Sequence, residues 1–333
     1  MNYFLNNKWK WLKWIGIICL MIYFSWNMWQ VFNSNNLESS LQFIQMTCAN
    51  NYFYYLSVVF GFMVLTYAVE AFKWLIIIKL FQKPNYLSCL KAIIVSQLFA
   101  INTPARSGDF IGKIYFLEDQ HKLKGVFLSF YGNFAQMSLV CFLGFWSLIL
   151  YKNFNSLNIS IINQYYNLFL GLSILLSFGL LFLFYKYNIL INLLKKLKIK
   201  WIQLELKDIP TIPLTLSHKI MIISLLRLVV TLCTYFFLFY IFFKNYNSEI
   251  LILITLYLFA IYFLPTFHFF DVIVRGSLGV YIFSSIPNIN PITIVTITTT
   301  VWFFNIFFPA LIGFFIFGFH QLKQKWLSNF LSL

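Results

Sequence analysis

The chain has 333 residues, 61% of them hydrophobic and 10% charged, against roughly 25% charged in an ordinary soluble domain; with a mean hydropathy of +0.79, a soluble fold around one large core is excluded and a polytopic membrane protein is implied. The formal charge of +15 does not point to nucleic acid, because the basic residues gather at the ends of apolar runs and not along one polar face.

Lys8, Lys10 and Lys13 precede an apolar run from Trp14 to Phe32. That run is too long for the core of a secretion signal and no small-residue cleavage pattern follows it, so it is expected to remain as a first span, about 11–32. A hydrocarbon layer of about 30 Å needs ~20 apolar residues per helix. On that measure further spans are expected over about 51–79, 125–151, 165–186, 217–243 and 292–319. Two shorter, interrupted apolar pairs lie between them: 86–101 with 110–117, and 250–264 with 272–286. The polar stretch 187–216 is too short and simple to fold alone, so the whole of 1–333 is expected to be one membrane domain. Cys19, Cys48, Cys89, Cys141 and Cys233 are scattered without metal spacing and read as small buried hydrophobes.

Charge assigns the sides. The N-terminal lysines are cytoplasmic, and the loop 33–50, which has no Lys or Arg, is external. Lys79 and Lys83 bring the chain inside, and so do Lys122 and Lys124, so the segment 86–122 enters and leaves from the cytoplasmic face. Lys186, Lys195, Lys196, Lys198 and Lys200 place 187–216 inside, and Lys323 and Lys325 do the same for the C-terminus. The segment 250–286 must then start and finish outside. The expected fold is an all-α integral membrane protein of six full transmembrane helices and two re-entrant helical hairpins in an inverted arrangement. Charge counting alone does not separate re-entrant hairpins from fully crossing pairs.

Polar residues concentrate in these two pairs. INTPARSGDFIGK, Ile101–Lys113, breaks an apolar sequence with Pro104, Arg106, Gly108, Asp109 and Lys113. Pro104 biases Thr103 away from helix, and Gly108 is expected to allow a left-handed or tight turn. Irregular backbone at membrane depth is tolerated only in a protein interior or beside a wet cavity. A helix beginning near Phe110, capped by Ser107 or Asp109, would add free N–H groups to the charges of Arg106 and Lys113, making a cradle for phosphate; a capped cytoplasmic loop is the plainer alternative. In the second pair Asp271 and Arg275 are four residues apart on one helix face, followed by Gly276 and Gly279. An ion pair inside the membrane is a functional-site candidate, with a structural tie as the alternative. Glu70 and Arg227 lie deep in full spans, whereas Lys73 is expected to snorkel to the interface.

Other chemistry finds little material. Glu118 and His121 make one E-x-x-H, where a di-iron site needs a second and more carboxylates. No phosphate-binding Gly-rich loop, nucleophile elbow or zinc-protease motif is present. No cofactor or metal site is expected, and an enzyme is unsupported.

TPARSGDFIGKIYFL, Thr103–Leu117, resembles the T-P-G-R-x-G-E-hydrophobic-x-R signature of the lysylphosphatidylglycerol synthase transmembrane-region, or flippase-like, family. Thr103, Pro104, Arg106 and Gly108 match; Asp109 keeps the acid, Lys113 the base, and Ala105 replaces a Gly. VRGSLGVYIF occupies the place of that family's later G-G-x-G-x-R-E motif: Gly276 and Gly279 match, while Tyr281 and Ile282 stand where an Arg-Glu pair is usual. Asp271 and Arg275 could supply those charges from earlier positions. The resemblance, over nearly the whole chain in span and motif order, implies a lipid-handling domain. The chain stops at Leu333, soon after the last span, so the soluble aminoacyl-transferase of bifunctional members is expected to be absent.

The expected function is binding and translocation of an anionic phospholipid or polyprenyl-linked lipid through a basic midplane cavity of the cell inner membrane. Thr103, Arg106, Gly108, Asp109, Lys113, Arg227, Asp271, Arg275 and Gly276 are the candidate headgroup site, with Glu70 balancing charge. The alternatives are a non-transporting partner or scaffold for a separate lipid-modifying enzyme, and an intramembrane lipid-phosphate transferase using Asp109 or Asp271 as base.

Overall fold

The computed structural model describes residues 21–33, 42, 45, 51–103, 106–154, 157–196, 210–243, 248–264, 268–286 and 289–331. The expected first span before residue 21, the turn residue Pro104, most of the loop 33–50, the part of the basic stretch at 197–209, and Pro265 lie outside them. Among the described residues all regular structure is helical. The helices are α1 (21–33), α2 (Tyr52–Ile78), α3 (Tyr86–Ile101), α4 (Asp109–Tyr115), α5 (Lys122–Tyr151), α6 (Ser160–Gln164), α7 (Tyr166–Tyr185), α8 (Tyr187–Lys196), α9 (Leu214–Phe243), α10 (Ser248–Phe263), α11 (His268–Phe283), α12 (Pro291–Trp302) and α13 (Phe308–Leu331). A 3-10 turn, Asp119–His121, leads into α5, and a π-helical segment, Phe303–Phe307, joins α12 to α13.

Five stretches are long and apolar enough to cross a bilayer: Phe53–Ile78, Asp119–Tyr151, Tyr166–Tyr185, Leu214–Phe243 and Pro291–Leu322. They coincide with the five later expected spans. The protein is therefore a multi-pass helical membrane protein. α3 and α10 are apolar but shorter, and each is followed by a second short helix, α4 or α11, as the interrupted apolar runs imply. Within the stretch read as a basic loop, α8 is helical. Its Tyr187 and Ile191 are buried, and Asn188 fixes the returning chain by exchanging hydrogen bonds with the Ile212 backbone (3.1 and 3.2 Å).

Local sequence sets several boundaries. The Asn85 side chain accepts from Leu87 N (3.3 Å) at the start of α3, and Asn290 accepts from Ile292 N (2.9 Å) at the start of α12, where Pro291 takes the first helical position. Of the five long stretches, Tyr166–Tyr185 has the smallest share buried within the protein. Leu168, Leu175, Phe178 and Phe182 face outward, as suits a peripheral helix whose solvent is lipid.

The interior divides into two large apolar clusters. One joins Val140, Leu148 and Tyr151 of α5 and Leu228–Phe242 of α9 to α10, α11 and α12. The other joins Met63–Ile78 of α2 and Leu128–Ala135 of α5 to α3, Phe184 and Ile220. The N-terminal part of α5 thus packs with the α3–α4 pair, and the C-terminal parts of α5 and α9 with the α10–α11 pair. The two short pairs lie toward opposite ends of the long helices. Between them sits the polar region.

Candidate functional site

The first short pair is held by unusually close backbone packing. A Cβ on Gly112 would lie 2.2 Å from Ser96 Cα, so only glycine lets α4 approach α3 this closely. A Cβ on Gly108 would lie 2.2 Å from the Phe99 carbonyl oxygen. Gly108 itself has right-handed φ of −71°, so its need is for space. The left-handed residue of the turn is Arg106, with φ of 58°, a conformation that disfavours any side chain with a Cβ. Thr103 organises the turn: its Oγ1 accepts from Gly108 N at 2.6 Å and donates to the Phe99 carbonyl at 3.0 Å. The cap position of α4 is Gly108 and not Ser107 or Asp109. α4 has 7 residues, and the N–H of its capping Gly108 is taken by Thr103.

The charged residues form one buried network and one pair. Glu70 on α2 is the hub: Oε2 lies 2.7 Å from Lys73 Nζ and 2.9 Å from Arg227 Nη1, and Oε1 lies 3.7 Å from Lys113 Nζ. Lys113 is closer to Asp109, at 2.7 Å, and Asp109 also accepts from Ser96 Oγ at 2.7 Å. Lys73 does not snorkel. Its side chain is 2% exposed, because the Glu70 carboxylate one helical turn away compensates a buried ammonium better than the interface would. On α11, Arg275 Nε lies 2.7 Å from Asp271 Oδ2, as the four-residue spacing requires.

Three arginines from three elements meet at a cavity of about 290 Å³. Arg106 comes from the turn before α4, Arg227 from α9 and Arg275 from α11; Asp271, Tyr67, Thr231, Tyr235 and Asn305 also line the cavity. Arg106 Nη2 donates to Gln97 Oε1 at 2.6 Å, and no carboxylate of the described residues lies within ion-pair distance of it. Much of the remaining lining is apolar, with Leu258, Ile261, Phe263, Leu264, Val301 and Ile306. The Tyr67 hydroxyl donates to the Asn305 carbonyl at 2.8 Å, tying α2 to the π segment.

Of the residues expected at the site, Arg106, Arg227, Asp271 and Arg275 line the cavity. Glu70, Lys113 and Asp109 do not line it but form a chain of ion pairs that ends on Arg227, so Lys113 is not one of the lining cations. Thr103 and Gly108 shape the turn, and Gly276 lets Met28 of α1 pack on α11, at 3.1 Å from where its Cβ would be. Tyr67, Thr231, Tyr235 and Asn305 escape sequence reasoning. A signal existed for Asn305, an amide in the middle of the WFFNIFF run.

Among the described residues no group of three His, Cys, Asp or Glu side chains could hold a metal. Glu118 and His121 pair with each other at 3.7 Å beside the 3-10 turn, away from the cavity. Cys89 and Cys141 are buried as expected, whereas Cys233 is exposed. The chain matches no family model, no curated protein and no solved structure.

Proposed function

We propose that this protein is a flippase-like membrane protein that binds and translocates an anionic phospholipid or lipid-linked intermediate through a basic cavity at mid-membrane. On this reading six helices span the bilayer and the pairs α3–α4 and α10–α11 are re-entrant hairpins entering from opposite faces. Both termini are cytoplasmic, and the membrane is the cell inner membrane. The resemblance of Thr103–Leu117 to the lysylphosphatidylglycerol synthase transmembrane-region signature points the same way.

One observation carries the reading: Arg106, from one short pair, and Arg275, from the other, line the same cavity, with Arg227 between them in sequence and apolar side chains in the rest of the lining. Charge at the centre of a membrane costs roughly 2.5–3.5 kcal/mol per residue on insertion scales, a cost that Glu70 offsets for Arg227 and Asp271 for Arg275, while Arg106 has the neutral Gln97. Guanidinium groups suit bidentate contact with phosphate, and the apolar part of the lining suits the first methylenes of an acyl or isoprenoid chain. Arg106 and Arg275 would hold the headgroup, Arg227 would be set in place by Glu70, and Asp271 would fix Arg275.

The test is translocation of headgroup-labelled lipid in proteoliposomes. Arg106→Ala and Asp271→Ala should each slow it, by about tenfold if one charge-assisted contact is lost. If both variants move lipid at the wild-type rate, the proposed site is wrong. Lipid binding without movement in the wild-type protein would favour the non-transporting partner.

A further inference from the structure

We infer that the headgroup recognised here is a dianionic phosphate, a phosphomonoester or diphosphate terminus on a lipid, rather than the phosphodiester of an ordinary phospholipid; this rests on the cavity being a lipid headgroup site. The first argument is charge. The cavity and the network behind it hold the cations Arg106, Arg227, Arg275, Lys73 and Lys113 against the carboxylates Glu70, Asp109 and Asp271, a formal surplus of two positive charges among the described residues. Charge buried away from water must be compensated. A phosphodiester brings one negative charge, whereas a terminal phosphate at neutral pH brings close to two. The second argument is the absence of a spare acid. Asp271 is the only carboxylate lining the cavity among the described residues, and Arg275 already holds it at 2.7 Å. A zwitterionic headgroup would therefore find no carboxylate of its own for its ammonium. The third is size. At about 290 Å³ the cavity lies at the lower edge of the 300–1,000 Å³ typical of sites for drug-sized ligands. That suits a compact phosphate better than an extended headgroup.

The test uses the purified full chain in detergent at pH 8. Binding of fluorescent dioleoyl phosphatidic acid, a phosphomonoester, is compared with that of dioleoyl phosphatidylglycerol carrying the same chains and label. Phosphatidic acid should bind about tenfold more tightly, the effect of one additional charge-assisted contact. Asn305→Asp, which adds one negative charge to the lining without removing any arginine, should bring the two affinities close together. Arg106→Gln should do the same. Equal binding of the two lipids by the wild-type protein would overturn the dianion inference while leaving an anionic-lipid site standing. Binding of neither would remove both. Inorganic phosphate alone should compete weakly; if it binds as tightly as phosphatidic acid, the ligand is a free anion and not a lipid.

Discussion

Glu70 joins three cations, Lys73, Arg227 and Lys113, and among the described residues it is the one carboxylate in ion-pair contact with Lys73 and Arg227. Removing one partner of a buried ionic cluster leaves the others uncompensated, at a cost of about 3–5 kcal/mol. Glu70→Gln keeps the shape and removes the charge, so it should destabilise the protein by about 3 kcal/mol, read as a lowered midpoint of thermal unfolding in detergent. An unchanged midpoint would mean that the cluster is wet. Arg106 behaves differently. Its φ of 58° is costly for a residue with a Cβ, by about 1–2 kcal/mol, and its guanidinium is held by the neutral Gln97. Arg106→Gly should therefore leave thermal stability unchanged or raised by up to about 1 kcal/mol while lowering lipid movement. Backbone strain at a residue whose side chain reaches the cavity is what a functional position looks like. Loss of stability in parallel with activity would instead make Arg106 a structural residue.

The short pairs depend on how closely their helices approach. Gly112 sits where a Cβ would fall 2.2 Å from Ser96 Cα, whereas Gly171 on α7 has nothing within 4 Å. Gly112→Ala should part α4 from α3 and destabilise by about 1–3 kcal/mol. Gly171→Ala should be neutral or slightly stabilising, since alanine is the better helix former. Thermal unfolding of the two variants side by side makes the comparison. Much at this scale was legible in the sequence. The apolar runs of 86–101 and 250–264 are too short for comfortable spans and end in polar residues, and helices α3 and α10 follow them closely. Of the left-handed or tight turn expected of Gly108, the left-handed residue is Arg106, while Gly108 serves close packing. The π segment has no mark in the sequence: Phe303–Phe307 continues an aromatic run, and only the packing brings Asn305 into the cavity lining. Lys73 was misplaced because snorkelling is a local argument, and its partner Glu70 is in turn fixed by Arg227, 157 residues away.

At the scale of the molecule, the two apolar clusters hold the short pairs toward opposite ends of the long helices, and the charged residues collect where the clusters meet. A helix bundle that only needed to be stable would fill that junction with hydrocarbon, since replacing buried ion pairs by apolar side chains is often neutral or stabilising. The retained arginines are the reason to read the junction as a site. Its most direct test is an experimental structure, by electron cryomicroscopy, of the protein in lipid nanodiscs containing phosphatidic acid. The expected result is Arg106 and Arg275 on one cavity within the hydrocarbon layer, with headgroup density between them and the acyl chains along Leu258, Ile261 and Phe263. Arg106 and Arg275 on separate surfaces, each facing bulk water, would contradict it.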